Sequence, residues 1–197
     1  MTTRTYTKTK RATKEQETHQ KIIDAAIGLY GSVGPAGTTI SAVATNASVQ
    51  RLTVYRHFPK ESDLIAGALA EWFDANPMPG PNDWRDEVSM ENWPIAILSM
   101  LYGYYSETSV LWRGLLADRG KFDELDKFLD LADAHLTAMQ DDMMRSLPTA
   151  RRNNALCQAV VSHSVQFSTW QSFSDSQLDT VEIAALMEDW VQKCPLG

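Results

Sequence analysis

The chain has 197 residues, of which 44% are hydrophobic, and a formal net charge of −7. This length is enough for one sizeable core or two small ones, and no apolar run approaches the roughly 20 residues that span a bilayer. The first twenty residues lack the apolar middle of a secretory signal, and two cysteines, Cys157 and Cys194, are too few for a disulfide framework. We therefore expect a cytoplasmic protein with reduced thiols and no membrane contact.

The charge is distributed unevenly along the chain. Residues 1–60 contain nine Lys and Arg against three acidic residues, a net charge of +6. Residues 61–197 contain nine Lys and Arg against 22 acidic residues, a net charge of −13. The overall charge argues against nucleic acid as a partner, but the asymmetry indicates that the N-terminal part suits a polyanion.

The chain begins with a Thr- and Lys-rich segment, residues 1–18, that has no apolar period. We expect a flexible basic arm here. Apolar residues then recur at helical spacing between Ile22 and Val33, which predicts the first helix. The sequence "GSVGPAG" (31–37) has three glycines and a proline and is expected to end that helix.

Three further elements follow in close succession. Capping hydroxyls on Thr39 and Ser41 precede a short helix over about 40–46, and "NAS" (46–48) predicts a tight turn. A third short helix is expected over about 50–57 and ends before Pro59. A fourth helix begins near Lys60 and carries an apolar stripe.

The best internal boundary is "NPMPGPND" (76–83), with three prolines and one glycine in eight residues. We expect an all-α protein with a helix-turn-helix domain over 19–75 and a helical domain over 76–197. Pro94 either starts a helix or kinks a longer one, and the pattern leaves both alternatives open. Helices are predicted beyond the boundary over 95–105, 108–118, 121–146, 150–173 and 176–193.

Two short helices joined by a tight turn have helix-turn-helix geometry. Val54 and Phe58 would face inward from the third helix and leave its cationic and aromatic side chains outside. Arginine suits guanine, Leu or Thr can touch a thymine methyl, and Thr, Tyr and His can contact phosphates. The predicted DNA-binding residues are Thr39, Ser41, Gln50, Arg51, Leu52, Thr53, Tyr55, Arg56, His57 and Lys60.

Residues 19–75 resemble the N-terminal domain of the TetR family of bacterial transcriptional regulators. The resemblance is carried by "IIDAAIGLYGSVG", "TTISAVATNASV" and "TVYRHFPKESDLI". It implies a homodimer that places its third helices in successive major grooves of a palindromic operator, with the last two long helical patterns, 150–173 and 176–193, pairing the subunits. It also implies repression that a small-molecule effector relieves, with no cofactor.

Three positions depart from the family pattern. The family commonly has glycine where this chain has Ser48, a serine cap where it has Gln50, and often a lysine where it has Glu61. Glycine tolerates positive φ, so Ser48 must form the turn another way, and Gln50 is a weaker cap. The phosphate contact at the start of the fourth helix is put in question by Glu61.

Large apolar side chains in the C-terminal part are candidates for an effector pocket, because such pockets are mainly apolar with a few polar groups. Each is also an acceptable ordinary core residue. A cationic amphiphile, favoured by aromatic rings and acids such as Glu107, and a neutral lipophile are both compatible with this composition. The predicted ligand-binding residues are Trp93, Met100, Tyr104, Trp112, Met143, Phe167 and Trp170.

The sequence shows no pattern that favours an enzyme. The four histidines lack the spacing of a metal site, so no metal is expected, and phosphate-binding and nucleophile motifs are absent. The alternative function is an all-helical ligand-binding protein or enzyme whose helix-turn-helix no longer binds DNA. Within DNA binding, an activator is the alternative to a repressor, and the basic arm either contacts DNA or is a solubilising tail.

Overall fold

A computed structural model describes the backbone of residues 3–194 and the side chains of residues 12–194. Within this part of the chain all regular structure is helical, which confirms the all-α prediction. The helices are α1 (Thr3–Gly37), α2 (Ile40–Asn46), α3 (Arg51–His57), α4 (Glu61–Ala75), α5 (Asn82–Arg85), α6 (Trp93–Ala117), α7 (Asp123–Ser146), α8 (Thr149–Arg152), α9 (Ala155–Ser164), α10 (Phe167–Ser174) and α11 (Thr180–Gln192), with a 3₁₀ turn at Met90–Asn92.

The chain divides into two compact units. The N-terminal unit contains the chain up to Asn76 together with Val110–Leu129. The C-terminal unit contains Pro77–Ser109 and the chain from Asp130 onward. The first division falls within the Pro-rich stretch expected to be a boundary, but the end of α6 and the start of α7 belong to the N-terminal unit. The two units are therefore not contiguous in sequence, because α6 runs from the C-terminal unit into the N-terminal unit and α7 runs back.

Helix α1 starts before the region where the sequence predicts it. The backbone is helical from Thr3, whereas residues 1–18 are expected to be a flexible arm. The segment contains no glycine or proline before Gly28. Lys, Arg, Glu and Gln are good helix formers, so an uninterrupted helix has no local obstacle. The described N-terminal backbone is therefore an extension of α1.

The end of α1 packs closely on Val110–Leu129 within the N-terminal unit. Helical geometry breaks at Gly34, which has φ 76° and ψ 161°, and Pro35 follows. The Asp118 carboxylate accepts a hydrogen bond from the Ala36 amide at 2.7 Å and pairs with Lys121 at 2.6 Å. A Cβ at position 34 would collide with that carboxylate. Both the positive φ and the contact therefore require glycine.

Pro94 lies at the start of a helix and does not kink a longer one. Helix α6 begins at Trp93, so Pro94 lies in the first turn, where its missing amide costs no hydrogen bond. The helix then continues to Ala117, and the break expected between residues 105 and 108 does not occur. No glycine or proline lies in that interval to interrupt it.

The helix predicted over 150–173 is three helices, α8, α9 and α10. Asn154 caps α9 by accepting from the Leu156 amide at 2.8 Å, and Gln166 has extended backbone between α9 and α10. The second break exposes carbonyls at the end of α9, which two buried tyrosines satisfy. Tyr102 donates to the Ser164 carbonyl at 2.5 Å and Tyr105 donates to the Val165 carbonyl at 2.9 Å. The prediction of one continuous helix was wrong because the break between α9 and α10 is stabilised by donors on α6, which lie far away in the sequence.

The segment between α4 and α6 is held on α7 by a buried carboxylate. Asp142 is fully buried and accepts hydrogen bonds from Trp84 Nε1 at 2.9 Å and from Arg85 at 2.7 and 2.8 Å. Arg145 adds an ion pair at 2.9 Å. Nearer the start of α7, His135 donates to the Pro79 carbonyl at 2.6 Å. We call residues 77–86 the strap.

Candidate nucleic-acid interface

The third helix presents one apolar face and one polar face. Val54 is fully buried and Phe58 is 5% exposed, as the apolar spacing predicts. The opposite side of α3 exposes Arg51, Leu52 and Arg56. Leu52 is 77% exposed, which is unusual for a leucine in a folded protein and suits a contact made only with a partner.

Helices α2 and α3 are positioned by the turn between them. Thr39 caps α2 by accepting from the Ala42 amide at 3.1 Å. Val43 and Ala44 are buried, and the Val49 amide donates to the Ala44 carbonyl at 2.9 Å across the turn. Ser48 itself adopts φ 54°, so a serine takes the left-handed conformation that favours glycine.

Arg51 and Tyr55 form a pair on the exposed face of α3. The Arg51 guanidinium lies 5.9 Å from the centre of the Tyr55 ring and donates to the Tyr55 hydroxyl at 3.4 Å. The residues are four apart in the helix, so their side chains share one face. Tyr55, which is 39% exposed, thus holds the arginine beside it over the surface of the helix.

His57 ends α3 next to His19 of α1. Its ring lies 5.7 Å from that of His19, and His19 in turn bonds Glu71 of α4 at 2.7 Å. Burial, followed by the nearby His19 and Arg56, lowers the pKa of His57, and Glu15 opposes the shift. The His57 Nε2 is buried and has no hydrogen-bond partner among the described residues.

The sequence allowed residues 1–18 to contact DNA as a flexible arm, but it did not place Lys14 and Thr18 beside the third helix. Lys14 and Thr18 line a groove of about 250 Å³ together with Arg56 of the third helix and with Glu15. This places a cation of α1 beside the end of α3. The signal that could have revealed it is the lack of any helix breaker before Gly28, which lets the first helix extend back past α3.

The remaining predicted DNA-binding residues differ in their surroundings. Thr53 is half-buried, whereas Ser41, Gln50 and Lys60 are exposed. Gln50 is the N-cap of α3 and makes no capping hydrogen bond with its side chain. The Lys60 amide donates to Asp63 at 3.0 Å, so a carboxylate already occupies part of the helix start expected to hold a phosphate.

The predicted ligand-binding residues do not form one group. Trp112 lies in the N-terminal unit, where its ring is 5.8 Å from that of Phe73. Phe167 and Trp170 pack against each other in the C-terminal unit with ring centres 5.5 Å apart, and Met143 and Trp93 are also buried there. Met100 and Tyr104 alone share an open groove with the strap.

The described residues contain neither a cluster of metal-ligating side chains nor a membrane-spanning helix. No three His, Cys, Asp or Glu side chains among them are grouped so that they could hold a metal ion. None of the helices in that same part of the chain combines the length and apolar character needed to cross a membrane.

A basic, exposed third helix held by a short second helix defines the helix-turn-helix class of DNA-binding proteins. Residues 22–68 match the family model for bacterial regulatory proteins of the tetR family. The N-terminal part of this chain is thus similar to the DNA-binding domain of tetR-family regulatory proteins.

Three named proteins are similar to parts of this chain. The chain is 29% identical over 112 residues to the HTH-type transcriptional regulator SrpR of Pseudomonas putida and, over the same length, to the uncharacterised HTH-type regulator TtgW of the same species. The matched part is 56% of this chain, 51% of SrpR and 81% of TtgW, so the chain spans about half the length of SrpR. AcrR of Shigella flexneri is 40% identical over 58 residues, 28% of this chain and 27% of AcrR.

Two solved structures share the fold. A candidate fatty acid metabolism regulator of Clostridium perfringens superposes with a TM-score of 0.68 and 13% identity, covering 90% of this chain and all of the other. A tetR-family regulator of Streptomyces coelicolor gives a TM-score of 0.60 and 19% identity over 88% of this chain and 78% of the other. Both resemblances extend over α-helices of the N- and C-terminal parts.

Proposed function

We propose that this protein is a cytoplasmic, homodimeric repressor that binds a palindromic operator and is released by a small, largely apolar effector. The observation that carries the DNA-binding part is the exposure of α3. Its one fully buried side chain is Val54, and its outer face carries Arg51, Leu52, Tyr55 and Arg56. Cations and a thymine-contacting apolar residue on a helix of this length fit the major groove.

Phosphate contacts would supply most of the affinity. Lys14 and Arg56 line one groove beside the end of α3 and can approach the same stretch of DNA backbone. These groups carry no base information, whereas Arg51 and Leu52 at the start of α3 would select the sequence.

Dimerisation is supported by the composition of α9. The helix contains no Asp, Glu, Lys or Arg, and Leu156, Ala159 and His163 are exposed on one side of it. A helix face that points to water normally carries charged residues. Helix α11 packs beside α9 and exposes Val181 at 75%. A second copy of the chain would cover these residues and place two α3 helices about 34 Å apart on DNA.

Release by an effector requires differential affinity. An effector lowers DNA binding only when it binds the DNA-free conformation more tightly than the DNA-bound one, and DNA then weakens effector binding by the same factor. The C-terminal unit has the buried aromatic residues and the open groove that such a ligand needs.

The test is selection of bound DNA from a random duplex pool by the full-length protein, read by sequencing. We expect enrichment of an inverted repeat whose half-sites are centred one helical turn apart, and an affinity that falls steeply with salt. A folded protein that enriches no sequence and binds DNA weakly at low salt would refute the proposal. That outcome would favour a ligand-binding or enzymatic role for the chain.

Repression and activation are distinguished in cells. A reporter under the enriched sequence should be expressed more strongly when the regulator's coding sequence is deleted. Lower expression after deletion would identify an activator instead.

A further inference from the structure

A groove of about 670 Å³ lies entirely within the C-terminal unit, between the strap and one face of α6. This volume is in the range of sites that hold drug-sized ligands. Met100, Gly103, Tyr104 and Glu107 share one face of α6 because they are spaced by three and four residues. The lining residues are Pro77, Met78, Pro79, Gly80, Asp83, Ser99, Met100, Gly103, Tyr104 and Glu107.

The strap side of the groove is fixed in position. The Pro79 carbonyl accepts from His135 at 2.6 Å, and the Gly80 amide donates to Asp83 at 2.7 Å. Trp84 and Arg85, which follow directly, are bonded to the buried Asp142. A wall anchored at several points presents its side chains without the ordering cost that a mobile loop would add on binding.

The α6 side of the groove is open because of one glycine. A Cβ added at Gly103 meets no heavy atom within 4 Å, so the missing side chain leaves free space. Glycine in the middle of a helix costs stability relative to alanine. Next to this gap, Met100 and the 9% exposed Tyr104 supply an apolar surface.

The charge of the lining is entirely negative. Asp83 and Glu107 are both exposed, and no Lys, Arg or His is among the lining residues. Glu107 lies one turn from Tyr104, so one positive group could face both a carboxylate and an aromatic ring. An anionic ligand would meet two carboxylates without any compensating cation.

We propose that this groove binds an amphiphilic organic cation, with the apolar body against Met78, Met100 and Tyr104 and the positive centre towards Glu107 and Asp83. The role of that cation as the effector rests on the proposed function, whereas the binding itself does not. Apolar surface alone would accept neutral and anionic ligands as well, so the two carboxylates decide the class.

The binding test compares two probes of the same size and shape but opposite charge, tetraphenylphosphonium and tetraphenylborate. Isothermal titration calorimetry on the DNA-free, full-length protein gives both affinities. We expect tetraphenylphosphonium to bind at least about tenfold more tightly. Equal affinities, or tighter binding of the anion, would overturn the proposal.

Three substitutions in the groove and one control outside it locate the site. Gly103→Leu fills the gap and should abolish binding of the cation, whereas Gly103→Ala adds only a methyl group and should retain most of it. Glu107→Gln should weaken binding of the cation roughly fivefold and leave the anion unaffected or favoured. Asp141→Asn removes an exposed carboxylate of α7 outside the groove and should change nothing. Full binding by Gly103→Leu, with an unchanged melting temperature, would place the site elsewhere and refute the proposal.

The two proposals fail separately. Calorimetry without DNA does not depend on operator binding, so a protein that binds the cation but no DNA would refute only the proposed function. A protein that selects an operator but binds no tetraphenylphosphonium would refute only the cation site. With both intact, the cation should reduce operator affinity in the wild type and leave that of Gly103→Leu unchanged.

Discussion

Ser48 adopts a backbone conformation that normally favours glycine. Its φ of 54° lies in the left-handed region, where a side chain with a Cβ is strained. The amide still donates to the Thr45 carbonyl at 3.1 Å, and the side chain is exposed, so nothing crowds it. Ser48 therefore keeps the backbone conformation of a glycine-containing turn, and this strain costs some stability.

Replacing Ser48 with glycine should stabilise the protein by roughly 0.5–1 kcal/mol, because relief of left-handed strain exceeds the added chain entropy of glycine. Chemical denaturation at equilibrium measures the difference. Ser41→Gly is the matched control, since Ser41 is exposed inside α2 and its replacement should destabilise by a comparable amount. A destabilised Ser48→Gly variant would contradict the strain argument.

Arg51 and Tyr55 are expected to make different contributions to DNA binding. Arg51→Ala should relax base preference and weaken operator binding by about 1–3 kcal/mol. Tyr55→Phe keeps the ring beside Arg51 and removes the hydroxyl, so it should weaken binding about equally on all sequences. Affinities for the selected operator and for single-base variants give both results. A uniform loss for Arg51→Ala, or unchanged affinity for Tyr55→Phe, would count against these roles.

Helix α7 holds the strap in place through Asp142. Burial by itself would raise the pKa of Asp142, but hydrogen bonds from Arg85 and Trp84 and the charges of Arg85 and Arg145 hold that pKa below its usual value. A carboxylate with a lowered folded-state pKa stabilises the fold above its unfolded-state pKa of about 4. This stabilisation is lost as the pH falls from there through the folded-state pKa.

Asp142→Asn should destabilise the protein by about 3 kcal/mol at neutral pH, because it leaves Arg85 and Arg145 without their buried partner. The adjacent Asp141→Asn, an exposed position, should have almost no effect. Thermal melts from pH 7 to pH 3 should show the difference between wild type and Asp142→Asn shrinking below about pH 4. A difference that stays constant across this range would show that the ion pairs are not its source.

Charge and exposed apolar surface are unevenly distributed along the chain. The basic residues concentrate in the first sixty positions, while the remainder is acidic. The acidic part repels a polyanion, so DNA should approach only the helix-turn-helix side. Within the acidic part, α9 contains no Asp, Glu, Lys or Arg and still exposes Leu156. Its outer face therefore suits contact with the same uncharged face of a second copy of the chain.

Leu156→Glu should convert the proposed dimer into monomers, because it places a charge in the apolar face of α9, where Leu156 is 54% exposed. Leu131→Glu on α7 is the matched control, since Leu131 is 68% exposed and lies outside the proposed interface. Sedimentation velocity reports the oligomeric state of each. The monomeric variant should also bind a single half-site far more weakly than the dimer binds its operator. A dimer that survives Leu156→Glu would move the interface away from α9.

The helix-turn-helix and the side chains that α3 exposes could be predicted from local sequence signals. Val54 and Phe58 are buried and Arg51, Leu52, Tyr55 and Arg56 face outward because a short amphipathic helix has only one way to hide its apolar residues. Local signals such as the Thr39 cap and the Pro-rich stretch at 76–83 were sufficient there. The resemblance to the TetR family rests on the same residues.

The tertiary structure decided where the long helices break and which residues meet. The end of α9 has no glycine or proline, and its carbonyls are satisfied by Tyr102 and Tyr105 from a helix some sixty residues earlier. Met100 and Tyr104 line a groove while Phe167 and Trp170 fill the core, although all four are large and apolar. Helical periodicity reports which side of a helix is apolar, but only the packing partners determine whether that side meets another helix or an open groove.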